Sequence, residues 1–339
     1  MIGWLKNLNN ASRLISINEA SRISGISAKA LEKDWWVTLT LKLVFNTPYA
    51  KHFAFKGGTS LSKGWQLINR FSEDIDISLS SEAMGIDYVD APSKTFVEQL
   101  RRAGCSFTSN ELLESLKEEF KNIQVPENLY SIEAKPVRPD MPDTDPQTLY
   151  VNYVSLFEPN PYLPDRVKIE FSVRSLKDPS AKRNMNSLLY DYFPNELYVE
   201  EHFDVLTIQP QRTLIEKILL LHEAYNREEN KNIQTDRMSR HYYDLYQLSK
   251  QEFTKATLLD DAFITDIINH RKYYSRLKRF DYNTLKRGSL NIIPSLEIFA
   301  ALRKDYEIMS AEMIYGDPPS FEEIVLEIQH LQELINKVN

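Results

Sequence analysis

The segment from Phe53 to Leu79 restricts the folds open to this chain more than any other. Phe53–Phe55 is a short apolar run that reads as a strand. Gly57-Gly58-Thr59-Ser60 follows as a tight turn and opens into a helical pattern through Leu61, Trp65 and Ile68. From Asp74 to Leu79 the residues alternate strictly. Asp74, Asp76 and Ser78 fall on one face, and Ile75, Ile77 and Leu79 on the other. A period of two belongs to a strand, so both carboxylates project from one side of a rigid element. Neighbouring carboxylates repel unless a cation lies between them. Oxygen-only ligands suit Mg²⁺, which shares its coordination shell with substrate phosphates. A glycine turn entering a helix presents backbone N–H groups to such phosphates. A Gly-Gly turn alone is weak evidence, and Asp-x-Asp alone fits a solvated strand face. Turn, helix and paired-Asp strand in this order point to phosphoryl or nucleotidyl transfer.

The chain of 339 residues has room for two domains and a sizeable core. A net charge of −7 argues against a uniformly basic nucleic-acid binder, though not against a local basic patch. The single Cys105 forbids an internal disulfide and fits a reducing cytoplasm. No cysteine–histidine cluster suggests zinc. No signal pattern opens the chain, and no apolar run is long enough to cross a bilayer.

Residues 1–50 read as helices, with Ser16 to Glu19 in capping-box spacing and Ser27 at a second start. In the segment Ala30 to Val37, Trp35 and Trp36 are expected in the core, and Glu32, Lys33 and Asp34 in solvent, with a place bordering the active site as the alternative. Pro92 to Phe107 and Glu111 to Ile123 look helical. Pro126 to Pro146, with five prolines, reads as turns or an extended loop, and Asp140, Asp143 and Asp145 as its surface acids. Tyr150–Leu156 and Val167–Val173 read as strands. The second puts Lys168, Glu170 and Ser172 on its polar face. Glu170 would then be a third carboxylate, suited to complete a metal site or to deprotonate an attacking hydroxyl. A cross-strand pair with a basic neighbour is the plainer alternative. Arg174, just beyond, is a candidate phosphate contact.

From Thr207 the pattern becomes helical almost to the end. Pro210 precedes a start with capping-box spacing at Thr213 to Glu216, and Leu214, Ile218 and Leu221 form a buried stripe. Lys217 lies on or beside that stripe, so its ammonium must snorkel out or meet a negative partner. Arg240 and Asp244, four apart on a helix, are spaced for a surface ion pair. His270 to Arg287 holds seven basic residues against one acid, with four aromatics interleaved. Arg271, Lys272, Arg276, Lys278, Arg279, Lys286 and Arg287 are therefore candidate RNA contacts. Phe321 to Val338 carries an apolar stripe at 321, 324, 328, 331 and 335 and reads as a packing helix.

Gly57 to Lys63, followed by Arg70-Phe71-Ser72-Glu73-Asp74-Ile75-Asp76, resembles the first motif of the AbiEii/AbiGii toxin family. These are nucleotidyltransferases of the DNA polymerase β-like superfamily and toxin halves of bacterial toxin–antitoxin pairs. The gap between glycines and aspartates is longer than in most of that superfamily. Pro210 to Lys217 resembles the family's third motif and Arg237 to Leu248 its fourth. The acidic strand at Glu170 and the segment Glu32-Lys33-Asp34 also have counterparts. The resemblance implies an α+β fold: a nucleotidyltransferase core over 1–205, its mixed sheet flanked by helices, and an α-helical C-terminal domain over 206–339 completing a nucleotide cleft. It implies Mg²⁺ or Mn²⁺ at Asp74, Asp76 and Glu170, and a triphosphate cradled by Gly57, Gly58, Thr59, Ser60, Lys63 and Lys217. Asp244 would be among the functional residues. The implied reaction passes a nucleotide from an NTP to RNA, with the tRNA 3′ end as acceptor, in a bacterial cytoplasm alongside a cognate antitoxin. Protein and small-molecule acceptors stay open, as does a non-catalytic nucleotide- or RNA-binding module.

Overall fold

The alternating stretch Asp74–Leu79 is the middle strand of a mixed sheet. The computed structural model describes residues 2–194, 202–226 and 235–337. Among these, seven strands form one sheet: β1 (Phe53–Lys56), β2 (Asp74–Leu79), β3 (Tyr130–Ala134), β4 (Gln147–Tyr153), β5 (Arg166–Ser172), β6 (Ser180–Met185) and β7 (Phe203–Ile208). Their order is β3-β4-β5-β2-β1-β7-β6. β2 runs antiparallel to β1 and parallel to β5, and β1 runs parallel to β7. The outer pairs β3–β4, β4–β5 and β6–β7 are antiparallel. Ile75, Ile77, Leu79, Val167, Ile169 and Phe171 are all buried, so period-two patterning sends one face of β2 and β5 into the core.

The chain forms two compact units. The first comprises the described residues within Met1–Gln66, Phe71–Val89 and Lys94–Ile208 and contains the sheet. The second comprises those within Leu67–Arg70, Asp90–Ser93 and Gln209–Asn339 and is helical. The fold is thus α+β, a mixed sheet with helices and a helical region besides.

In the first unit, the helix Asn10–Ser24 is capped by Asn9, whose side chain accepts from Ser12 N at 2.8 Å. The Ser16–Glu19 pattern therefore lies inside a helix and starts none. Ser16 instead accepts from Trp4 Nε1 and donates to Arg13 O. Ser27 does cap the next helix, Ala28–Val44, which packs against β2 and β5. Trp35 and Trp36 are buried in it as expected, but Glu32, Lys33 and Asp34 are buried too, not solvated. Each is satisfied at long range. Glu32 accepts from Ser155 Oγ and Leu156 N, Lys33 donates to Pro164 O and pairs with Glu73, and Asp34 takes Lys63 and Leu188 N. Burial drives the Glu32 pKa up, against the hydrogen bonds from Ser155 and Leu156.

Three strands escaped the sequence pattern. β3 lies within the proline-rich stretch read as turns or loop, and β6 and β7 lie between the strand read at Val167–Val173 and the helical pattern read from Thr207, where no strand was expected. β3 and β6 are edge strands with one buried residue each, Ile132 and Met185, too little contrast to alternate legibly. Asp145 is no surface acid: its carboxylate accepts from Ser172 Oγ, Val173 N and Arg174 Nε and fixes the end of β5. Asp140 and Asp143 pair with Arg138 and Arg101.

In the second unit, the long helix begins at Pro210, in its first turn, and runs to Tyr225. Thr213 is thus interior and caps nothing. Thr207 belongs to β7 rather than to the helical region. Leu214, Ile218 and Leu221 are buried, as their stripe predicts. The last helix, Phe321–Asn336, buries Phe321, Ile324, Ile328, Leu331 and Ile335, while the expected end at Val338 lies outside the described residues.

Candidate active site

Three adjacent strands assemble the polar face. Asp76 on β2 lies opposite Lys56 on β1 and Glu170 on β5. Asp74 lies opposite Lys168. Residues in register share a face, so Asp74, Asp76 and Glu170 lie on one face of the sheet with Lys56 and Lys168 beside them, but their carboxylates do not gather into the three-ligand metal set expected for them. All five are half-buried.

The two lysines were not singled out by sequence. Lys168 Nζ sits 2.9 Å from Glu170 Oε2 on its own strand, so the ion-pair alternative for Glu170 is realised along the strand, not across it. Burial pulls the Lys168 pKa down, but Asp74, Glu170 and Asp76 outweigh it and raise it overall. The field around Lys168 is thus negative on balance. Lys56 Nζ donates to Ser175 Oγ at 2.6 Å. The visible signal for Lys168 was its place on the polar phase of a strand that also carries Glu170, whereas Lys56 only ends a short apolar run ahead of the glycine turn.

Gly57 begins a short helix, Gly57–Thr59, continued by one wide turn over Ser60–Gly64 in which Trp65 N–H reaches Ser60 O. The helix predicted through Ile68 therefore ends early. Trp65 is instead held by its Nε1 donating to Ile208 O, with Arg183 over its ring at 4.6 Å. Gly57 has φ +77°, and a Cβ there would fall 2.1 Å from Asp76 Oδ2. Only glycine lets the backbone come this near the carboxylate. Gly57→Ala is expected to displace Asp76, lower the melting temperature by strain of about 1–2 kcal/mol, and cut turnover more than nucleotide affinity. A thermal melt with steady-state kinetics checks this.

Thr59 Oγ1 donates to Asp74 O and approaches Ser72 Oγ, tying the turn to β2. Ser60 Oγ donates to Gly57 O. Gly58 is half-buried within the turn. Lys63 is nearly buried, its Nζ 2.5 Å from Asp34 Oδ1. It anchors the turn to the helix Ala28–Val44.

The donor set fits Mg²⁺ in a limited way. Among the described residues, no three His, Cys, Asp or Glu side chains are grouped to hold a metal ion. Asp74 and Asp76, on one face of one strand, offer the one or two carboxylates with which Mg²⁺ binds alongside substrate phosphates.

In the second unit, Asp244 is fully buried and receives Arg70 through Nε at 2.7 Å and Nη2 at 2.8 Å. Lys217 Nζ lies 2.9 Å from Asp244 Oδ2 and 3.3 Å from His241 Nδ1. Lys217 has met its negative partner and does not snorkel. Asp244 is no member of a surface pair. Burial would raise its pKa, but Arg70 and Lys217 hold it below the usual carboxylate range. Burial lowers the pKa of Lys217, with Asp244 opposing, and pushes His241 far down. Arg70 stands in the first motif but carried no role by sequence. A backbone bridge to Ile314 and Asn69 O accepting from Tyr315 N place it.

The basic segment divides. Arg271 is committed to Glu223 through Nε and Nη2, and Arg287 donates to Ile335 O and Lys337 O and pairs with Asp261. Lys272, Lys278, Arg279 and Lys286 are exposed, as is Arg276, whose guanidinium nonetheless donates to Tyr273 O and Pro92 O. Tyr274 and Phe280 are buried, Tyr274 stacked on His270 and Phe280 edge-on to His222, so two of the four aromatics serve the core.

No helix among the described residues is long and apolar enough to cross a membrane. Searches of curated proteins and of solved structures gave no match. A family model for the nucleotidyl transferase AbiEii toxin of type IV toxin–antitoxin systems matches residues 42–327. That span takes in the glycine turn, the Asp74–Asp76 strand, Glu170, Lys217 and Asp244, and the chain belongs to the AbiEii nucleotidyl transferase toxin family.

Proposed function

We propose that this chain transfers a nucleoside monophosphate from an NTP to an RNA acceptor, the 3′ end of tRNA, in a Mg²⁺-dependent reaction. The observation carrying this is the register that sets Asp76 between Lys56 and Glu170, with Gly57 against its carboxylate. Asp74 and Asp76 would hold the metal, whose charge would offset that on the phosphates and lower the pKa of the attacking hydroxyl. The acceptor oxygen forms a bond to the α-phosphorus, the bond to the β-phosphate oxygen breaks, and pyrophosphate leaves. Glu170, once released from Lys168, would take the hydroxyl proton or complete the metal site. Positioning and charge neutralisation supply the rate, without a covalent enzyme group.

The turn Gly57, Gly58, Thr59 and Ser60 would lie along the triphosphate, with Lys63 holding that turn through Asp34. Lys217, paired with Asp244, is proposed as a triphosphate contact through its place in the segment Pro210 to Lys217, which resembles the family's third motif. The exposed cations Lys272, Arg276, Lys278, Arg279 and Lys286 would contact RNA phosphates. Replacing three of them by Gln is expected to weaken RNA binding alike for all sequences, and to flatten its salt dependence by about 2–3 in log–log slope. Filter binding at several salt concentrations measures both.

Membership of a type IV toxin family implies an antitoxin partner and a nucleotide substrate. The deciding experiment incubates the protein with Mg²⁺, each α-labelled NTP in turn and total bacterial RNA, with Asp74→Ala as control. Label in a tRNA-sized band is the expected result. Label in protein or a small molecule would move the acceptor, and no transfer with any NTP or acceptor would overturn the reading.

A further inference from the structure

We infer that Tyr150 and Arg166 form a stacking platform for the unpaired end of the RNA acceptor, on the sheet face that carries Asp74, Asp76 and Glu170. The inference rests on the nucleotidyl transfer reading and names where that site takes its acceptor.

One row of residues crosses four strands of the open face. Glu133 on β3 lies opposite Tyr150 on β4, Tyr150 opposite Lys168 on β5, and Lys168 opposite Asp74 on β2. Residues in register share a face, so Tyr150 stands on the carboxylate side of the sheet. Two strand spacings, about 10 Å, separate it from Asp74. Val151 and Tyr153, on the other phase of β4, are buried, whereas Tyr150 is half-buried and does not fill the core. Arg166 lies two residues before Lys168 on the same phase of β5, and its Cζ sits 4.6 Å from the centre of the Tyr150 ring. Arg166 is exposed, and among the described residues no carboxylate pairs with its guanidinium. Arg174, near the other end of β5, is by contrast held by Asp145. Asn152, opposite Arg166, donates to Glu133 Oε1 at 3.0 Å, so the acid at the edge of the row is already engaged. A ring joined to an unneutralised guanidinium suits an unpaired nucleotide, whose base stacks while its phosphate meets the charge. A duplex gains nothing from the ring, because its bases are stacked on one another. A single strand running from Tyr150 towards Asp74 would bring its terminal hydroxyl to the carboxylates.

Fluorescence anisotropy on the full chain tests this with two probes, a short labelled single-stranded RNA and a blunt duplex of the same sequence. Tyr150→Leu is expected to weaken single-strand binding by about tenfold, the loss of one stacked base, and to leave duplex binding unchanged. Tyr150→Phe keeps the ring and should bind as wild type. Arg166→Gln should also weaken single-strand binding, and reduce its log–log salt slope by about 0.7, the share of one phosphate contact. In label transfer, Tyr150→Leu should raise KM for RNA and leave KM for the NTP unchanged. Circular dichroism confirms that each variant is folded, and if Tyr150→Leu is not, Arg166→Gln at its exposed position decides. A folded Tyr150→Leu that binds the single strand as wild type overturns the inference, as does an equal loss on both probes or a wild type that binds no single strand. A lowered melting temperature with unchanged RNA affinity also overturns it, leaving Tyr150 and Arg166 as a pair that only stabilises the sheet. Any of these with label transfer to RNA intact leaves the nucleotidyl transfer reading standing. Single-strand binding lost in Tyr150→Leu, without transfer by wild type, keeps the platform and removes the reaction.

Discussion

Asp76→Asn is expected to lower nucleotide transfer by about a thousandfold, while the melting temperature moves by only a few degrees. Metal-borne charge neutralisation is worth several kcal/mol in the transition state, and about 4 kcal/mol corresponds to that factor. Asn keeps the size and one acceptor oxygen of the side chain but removes the charge that would hold Mg²⁺. The small effect on folding follows from the surroundings. Asp76 shares its face with Asp74 and Glu170, so loss of one negative charge relieves repulsion while it weakens the attraction to Lys56 and Lys168. Its strand is held instead by the apolar phase, Ile75, Ile77 and Leu79, which the change does not touch. Activity and stability should therefore separate, read by label transfer and a thermal melt on the same preparation. A variant that transfers normally would sink the metal assignment. One that melts far below wild type would show that the carboxylate serves the fold.

How far the sequence could be read depends on how strongly burial contrasts along each element. β2 and β5 sit near the middle of the sheet, one phase fully buried and the other more open at Asp74, Asp76, Lys168 and Glu170, though Ser78 is buried, so their alternation was legible with its carboxylates in place. The same holds for the stripes of the helices Pro210–Tyr225 and Phe321–Asn336. β3 and β6 bury one residue each at the sheet's edges, and no periodicity survives that. The helix starts read at Ser16 and Thr213 failed for a different reason, while Ser27 held. Ser-x-x-Glu and Thr-x-x-Glu spacings arise inside helices as readily as at their ends, and here Asn9 and Pro210 had already set the starts.

Buried charge was the least legible feature. Glu32, Lys33 and Asp34 looked solvated because charged residues in a helix normally are. Their partners, Leu156, Pro164, Glu73 and Lys63, lie far along the chain, and no local pattern announces them. Lys63 was read as a phosphate ligand from its place in the glycine motif, and its pairing with Asp34 emerges only in three dimensions. The motif residues thus include some that face the polar sheet surface and some that hold the turn in position, and sequence alone does not sort them.

Asp244 tests that distinction most sharply. Its carboxylate is fully buried between Arg70 and Lys217, so Asp244→Asn would leave two cations in a dry interior without their counter-charge. Breaking such a cluster costs about 3–5 kcal/mol, which for a chain of this size lowers the melting temperature by about 10 °C. The pH dependence has a definite sign. The pKa of Asp244 is depressed in the folded state, so its stabilisation is fully present above the unfolded value of about 3.9 and is lost as pH falls towards the folded value. The gap between wild type and Asp244→Asn should therefore be constant near neutrality and narrow below about pH 4. Replacing Arg70 by Met together with Asp244 by Leu should be less damaging than Asp244→Asn alone, because fewer unpaired charges remain buried. Calorimetric melts across pH for wild type and the two variants supply these comparisons. The expected pattern makes Asp244 a positioning residue, holding Lys217 and Arg70, and its loss would silence transfer by loosening the helical unit. If Asp244→Asn melts with wild type and still fails to transfer, its carboxylate acts in the chemistry itself.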